Sequence, residues 1–259
     1  MDGLIGSTGF VGGTLLRQRA FDQTYASANI HMICGEHFDT LVCAGAPAAK
    51  WIANADPVAD FLNIERLAGQ LAQTNASHFV LISTVDVFSD SSGADEESPI
   101  DEESLTAYGR NRLWLERYVR DRFASSLIVR LPGLVGPGLR KNAIFDLRND
   151  NALEKLDARA AYQFYPMINL WTDIVTARTA GLTLVHLTAE PVTLADAATE
   201  GFGKTLPALE NGQKPVSYDF QTRHASIFGG TARHTYSRRE SLMAIRAYAQ
   251  SEPPSAPLA

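Results

Sequence analysis

Cysteine is scarce. Cys34 and Cys43 are the only two in 259 residues, too few for a disulfide scaffold, and Cys43 lies in an apolar run, so both read as reduced core thiols of a cytoplasmic protein. No apolar stretch approaches the roughly 18 residues that a membrane span needs, and no charged-then-apolar leader opens the chain; neither a membrane partner nor secretion is expected. No Cys, His, Asp or Glu set has metal-ligand spacing, and no segment repeats. Basic residues are the minority, 23 Lys and Arg against 29 Asp and Glu for a net charge of −6, which argues against nucleic acid as the main partner. His224 and His234 have no partner at motif spacing and read as structural.

What is present is an ordinary globular composition, 45% hydrophobic and 20% charged, long enough for one α/β domain with a smaller second lobe. The charge is uneven. Acids stand at 90, 95, 96, 97, 101, 102 and 103, whereas Lys204, Lys214, Arg223, Arg233, Arg238, Arg239 and Arg246 outnumber Glu210, Asp219 and Glu240. Both runs fit solvated surface; alternatively the basic one meets an anionic substrate such as a nucleotide diphosphate.

The first twelve residues read as a strand turning into a helix through Gly6, Gly9 and Gly12. Glycines permit a tight turn and close approach, and the unpaired amides of the following helix face an anion, so Gly6, Thr8, Gly9, Phe10, Val11 and Gly12 are candidate diphosphate contacts. The G-x-x-G-x-x-G spacing is one residue from the G-x-G-x-x-G dinucleotide fingerprint, and taken alone it equally fits a plain glycine-rich turn. A second strand, from Gln23, ends in Ser27 and Asn29 where NAD-binding chains usually carry an acid for the ribose; without that acid, NADP is favoured over NAD. A short or missing crossover over Ile30 to His37 leads to a third strand whose small end residues Ala44, Gly45 and Ala46 would let a cofactor lie close.

Lys50 and Trp51 are expected in a loop, as substrate contacts or as a solvated Lys and a packed Trp. Asp56-Pro57 then opens a helix with Phe61, Ile64, Leu67 and Leu71 on one face. His78–Phe88 reads as a doubly covered strand carrying Ser83 and Thr84 near its end. Ser104–Phe123 reads as a helix bearing Tyr108 and Arg112 on one face. Ser126–Gly138 reads as a strand running into a Gly/Pro loop over the cofactor. Further on, Arg140–Phe145 begins a helix, Tyr162–Pro166 a strand, Leu170–Val185 contains a helix, Thr183–Leu187 a strand and Thr193–Gly203 a helix. Ser237 and Glu240 form a capping box for a last helix, and Ser251–Ala259 is expected to be a disordered tail.

A phosphate-binding turn, a Ser-Thr strand end and a Tyr-x-x-x-basic pair occur in one order. Together they suit carbonyl chemistry: a tyrosine passes the proton, a hydroxyl holds the oxygen, and a cation lowers the tyrosine pKa. On Gly6-Ser-Thr-Gly-Phe-Val-Gly12, Asp60-Phe-Leu-Asn63, Ile82-Ser-Thr-Val-Asp-Val-Phe88, Tyr108-Gly-Arg-Asn-Arg112 and Val129-Arg-Leu-Pro-Gly-Leu-Val-Gly136, the chain resembles the extended short-chain dehydrogenase/reductases over residues 1 to 190. Within that family it is most similar to the dTDP-4-dehydrorhamnose reductases.

The resemblance implies a Rossmann-type, doubly wound parallel sheet over 1–135. A small substrate lobe over 136–250 would close on the cofactor, with 160–190 returning to the sheet. It implies an NAD(P)-dependent reductase, epimerase or dehydratase acting on a nucleotide sugar. Thr84 would polarise the carbonyl, Tyr108 would be the acid/base, and Arg112 would replace the ribose-binding lysine. Asn63, Ser83 and Pro132 would also touch cofactor, and Asp86, Asn142 and Gln163 substrate. Arg112 and Gly133, the latter replacing a common substrate-binding asparagine, depart from the family. They leave open a cofactor-binding sensor or scaffold without chemistry. Family habit implies a homodimer through the Tyr108 helix, whose Leu113, Leu115 and Val119 suit that interface or the core.

Overall fold

A computed structural model describes residues 1–209, 214–230 and 232–254. Along the chain run β1 (Asp2–Ile5), α1 (Phe10–Gln18), β2 (Gln23–Tyr25), β3 (His37–Cys43), α2 (Lys50–Ala55), α3 (Pro57–Leu71), β4 (Asn75–Thr84), α4 (Ala107–Arg122), β5 (Ser126–Leu131) and β6 (Gly133–Val135). They are followed by α5 (Ala143–Asn149), β7 (Ala161–Tyr162), β8 (Phe164–Pro166), α6 (Leu170–Thr179), β9 (Leu184–His186), β10 (Val192–Thr193), α7 (Leu194–Asp196) and α8 (Arg238–Ser251). The chain forms two compact units, one of residues 1–90, 96–131 and 170–186, the other of 91–95, 132–169 and 187–259. Among the described residues no helix is long and apolar enough to cross a membrane.

The first unit is a six-stranded sheet in the order β2-β1-β3-β4-β5-β9, parallel at every pairing. Its inner strands carry continuous apolar runs because helices cover both faces. Only a 3₁₀ turn, Ile30–Ile33, lies between β2 and β3, as the short crossover in the sequence required. Strand order reverses between β1 and β3, so the carboxyl ends of those two strands flank the crevice where doubly wound sheets bind ligands. α3 and α4 pack together over a core of Phe38, Leu41, Ile64, Leu71, Phe79 and Ile128, and α1 packs with α6. Asp56 caps α3 by accepting from Ala59 N at 3.0 Å, with Pro57 at the first helical position.

Leu113, Leu115 and Val119 are 4%, 1% and 0% exposed, so of the two uses open to them they serve the core of the subunit. Lys50 and Trp51 are not in a loop: they begin α2, which ends where Pro57 cannot continue its hydrogen bonds. β4 stops at Thr84, whose side chain caps a 3₁₀ turn over Val85–Val87. The fifth strand ends at Leu131. Gly133–Val135, within the stretch read as one strand running into a Gly/Pro loop, pairs with β8 as a separate strand, and the first compact unit runs to Leu131.

The second unit holds the parallel pair β6 and β8, the antiparallel pair β7 and β10, and α8 packed on β8. The expected single strand at 162–166 is split into two with different partners. Ser237 and Glu240 make the expected capping box. Ser251, expected in the tail, is the last residue of α8, and 255–259 lie outside the described residues.

A polar chain is buried inside the first unit. Ser83, Arg130 and His186 stand in register on β4, β5 and β9. Arg130 donates to both oxygens of Glu116 at 3.0 and 2.6 Å and lies 3.2 Å from His186 Nε2, while Ser83 Oγ donates to Glu116 at 2.5 Å. Glu116 and Arg130 are almost fully enclosed. Removing the carboxylate strands a buried guanidinium, so Glu116→Ala is expected to lower unfolding stability by about 3–5 kcal/mol, read from urea denaturation.

Candidate active site

Gly6 follows β1 with φ +84°, a conformation that favours glycine. Its N–H and that of Ser7 both donate to Tyr25 O, at 2.8 and 3.1 Å, tying the turn to the end of β2. A Cβ at Gly6 would lie 2.3 Å from Ala44 O, and one at Gly12 only 2.1 Å from Gly6 O. The turn thus folds tightly against the small residues Ala44 and Gly45. A Cβ at Gly9 would meet only Gly6 O, at 3.4 Å, so the room there is open.

Gly9 is the N-cap of α1 and brings no side chain to its amides, and the first turn carries no acid. The N–H groups of Phe10, Val11 and Gly12 therefore lack intrahelical acceptors. Open room before uncapped amides, framed by glycine backbone and exposed Thr8, fits a diphosphate. Ser27 is exposed beyond β2. Asn29 accepts from Ala26 N at 2.7 Å and donates to Thr24 O at 3.1 Å, so its amide holds the turn.

Tyr108 sits in the first turn of α4 and is 8% exposed. Thr106 caps that helix, and Tyr108 N donates to Asn54 Oδ1 at 3.0 Å. Gly109 permits the approach, because a Cβ there would fall 2.0 Å from Asp86 O. The start of α4 is thereby set beside the turn that follows Thr84. Burial pushes the Tyr108 phenol above its ordinary range; Arg112 and Lys50 act against that shift and Asp86 with it.

Arg112 lies under the Tyr108 ring, its Cζ 4.0 Å from the centroid. Its terminal nitrogens pair with both carboxylate oxygens of Asp60, one at 2.9 Å, and with the carbonyls of Pro47 and Tyr108. Asn111 adds a 2.8 Å bond to Asp60. Arg112 and Asp60 are both buried, and Arg112 Nε has no acceptor among the described residues. Asp60 and Gly109 lie in the stretches that carry the resemblance but had no role assigned from sequence, and Asn54 was not singled out. The Gly after Tyr108 was the one visible signal, since a buried acid on α3 looks like any helix acid.

The other expected residues divide. Lys50 Nζ is 2.6 Å from Asp86 Oδ1 beside Thr84. Trp51 is 62% exposed. Ser83 faces Glu116 rather than Tyr108, as alternation along β4 requires. Asn63 is exposed and bonded to Arg66.

Pro132, Asn142 and Gln163 belong to the second unit. There Asn142 caps α5 and donates to Leu134 O, and Gln163 spends its amide on Ala189 and Phe220. A Cβ at Gly133 would be 2.5 Å from Gln163 O, which explains why no asparagine stands there. Most of the acidic run is exposed, as expected of solvated surface, Glu102 pairing there with Arg117, while the half-buried Glu96 accepts from His186 N. In the second unit Arg238 pairs with Asp196 and Glu200, and His234 with Asp219.

Gly12→Ala must displace backbone, and a loss of about 1–3 kcal/mol is expected. Gly69→Ala, in α3 with nothing within 4 Å of the new methyl, should instead gain up to about 1 kcal/mol. Thermal unfolding of the two variants checks the pair.

No protein-family model matches the sequence, and no curated protein matches it. Solved structures do. A dTDP-4-dehydrorhamnose reductase from Clostridium acetobutylicum is 17% identical, with 96% of this chain and 99% of that chain covered at a TM-score of 0.71. The Bacillus anthracis dTDP-4-dehydrorhamnose reductase in complex with NADP is 14% identical, covering 97% and 98% at 0.72. MoeE5 in complex with UDP-glucuronic acid and NAD is 17% identical, covering 96% and 98%, also at 0.72. The chain shares the fold of these structures, a Rossmann-type parallel sheet.

Proposed function

We propose that the chain is an NAD(P)-dependent oxidoreductase or epimerase acting on a sugar carbonyl or hydroxyl, the sugar being nucleotide-linked. The observation that carries this reading is the buried Tyr108 with the Arg112 guanidinium 4.0 Å from its ring centroid, on a helix that starts against Asp86 in the turn after Thr84. The fold neighbours, solved with NADP, or with NAD and UDP-glucuronic acid, support it. Gly6, Gly9 and Gly12 with the amides of α1 would hold the dinucleotide diphosphate, and Ala44 to Ala46 would lie along it. When bound, the nicotinamide supplies or receives the hydride.

Thr84 holds the substrate oxygen by a hydrogen bond, and Tyr108 gives it a proton or takes one. Arg112, pinned to Asp60, acts as a fixed cation that stabilises the phenolate left behind, and does not itself pass a proton. Tyr108→Phe is expected to keep NADPH or NADH binding, followed by cofactor fluorescence, while turnover falls about 10²–10⁴-fold. Unchanged turnover removes the reading.

Because burial holds the Tyr108 phenol protonated through neutral pH, the site is set for proton donation. Reduction is expected to proceed at a constant rate through neutral pH and to fall as rising pH ionises the phenol, whereas oxidation rises over the same range. A pH–rate profile in both directions checks this.

A second reading, a cofactor-binding sensor without chemistry, draws on the Arg112–Asp60 lock, which takes up the terminal nitrogens that would reach a ribose. Substrate-dependent oxidation of bound cofactor by any nucleotide sugar excludes it.

A further inference from the structure

Arg112 stacks its guanidinium on the Tyr108 ring, with Cζ 4.0 Å from the centroid, and donates to the Tyr108 carbonyl one helical turn back. Left alone, a guanidinium so placed would favour the phenolate. It is not alone. Both terminal nitrogens donate to the two oxygens of Asp60, and Asn111 adds a 2.8 Å bond to the same carboxylate. The Asp60 and Arg112 side chains are 5% and 3% exposed, so solvent and salt do little to screen either charge. A cation against the phenol and an anion against that cation therefore act on the ring together.

We propose that Asp60 is a positioning residue that acts through Arg112: its carboxylate holds the guanidinium against the Tyr108 ring and offsets that cation's charge, so that Tyr108 is kept as a proton donor, the form that reduces a carbonyl. The proposal rests on Tyr108 being the acid/base of the reading above. Arg112 cannot answer the loss of Asp60 by giving up its own proton. With an isosteric amide in place of the carboxylate, the guanidinium keeps one oxygen of residue 60 and the carbonyls of Pro47 and Tyr108. Its position then holds while its charge is no longer offset, and the phenol ionises more readily. The other influences on the phenol are burial and Asp86 in the turn after β4, which oppose ionisation, and Lys50 on α2, which favours it. The substitution leaves all three in place.

The test uses the full chain with Asp60→Asn, Asp60→Glu and the double variant Asp60→Leu/Arg112→Met, circular dichroism confirming the fold of each. The first readout needs neither cofactor nor substrate: the ultraviolet ionisation of Tyr108, taken as the difference from the same chain carrying Tyr108→Phe. Asp60→Asn should move it to lower pH by about one unit, and Asp60→Glu, which keeps the charge, should hold it near the wild-type pH. Asp60→Asn strands a buried guanidinium, whereas exchanging both partners for apolar side chains is far better tolerated. The double variant is therefore the one that decides if Asp60→Asn fails to fold. Its Tyr108 should ionise near the wild-type pH, because opposite charges have been removed together. The second readout is the pH–rate profile for reduction, whose alkaline fall should move down with the phenol in Asp60→Asn. An ionisation that stays put or moves up in Asp60→Asn, or a double variant that ionises at clearly higher pH, overturns the proposal and leaves Asp60 a structural clasp. Full turnover in Tyr108→Phe overturns the parent reading instead, and the cofactor-free ionisation keeps the two failures apart.

Discussion

The buried pair of Asp60 and Arg112 is the interaction on which the site depends. It joins α3 to α4 through both carboxylate oxygens, draws in the Pro47 carbonyl from the segment after β3, and stacks its guanidinium on the Tyr108 ring. Taking two charges out of water costs several kcal/mol each, and attraction in the interior repays this only with good geometry and satisfied neighbours. Asn111 and the Tyr108 carbonyl supply part of that satisfaction. The return is positional: one pair sets the phenol, the helix that bears it and the β3 end in a common frame.

Backbone contact supplies the rest of that frame. Gly12 against Gly6, Gly6 against Ala44 and Gly109 against Asp86 each bring main chain to main chain at distances that no side chain tolerates. The first two close the turn before α1 and leave its amides uncapped. The third lets α4 start beside the end of β4, where Thr84 is held by its own hydrogen bond from Asp86 N. The Glu116–Arg130 pair performs the same service deeper in the unit, linking α4 to β5 and, through His186, to β9. Tyr108 and Glu116 are on one helix, so the Tyr108 phenol and the buried network share a rigid support.

Much of this was legible in the residues. The strand-glycine-helix opening, the short crossover, the Asp56-Pro57 helix start, the Ser237–Glu240 capping box and the shared face of Tyr108 and Arg112 all follow from local spacing, and all are present. The failures were also local in kind. Lys50 and Trp51 passed for loop because Asp56-Pro57 announced a helix start so strongly that a helix ending there went unseen. Gly133–Val135 was not separated from the strand before it because three residues carry no period, and their partner Phe164–Pro166 lies some thirty positions away. Ser83 and Thr84 are adjacent, yet alternation sends one to Glu116 while the other bonds Asp86 in the turn after the strand.

Spacing along the chain decides which residues share a helix face or a strand end, because the periods of helix and strand are properties of the backbone itself. The glycine turn between β1 and α1 and the shared helix face of Tyr108 and Arg112 were therefore determined by sequence alone. Which charge meets which was not. Asp60 lies 52 residues from Arg112, and Lys50 lies 36 from Asp86. Only the packing of α2, α3 and α4 beside β4 turned one basic residue into a clasped strut and another into a partly exposed cation, because burial and desolvation belong to the folded surroundings rather than to the residue.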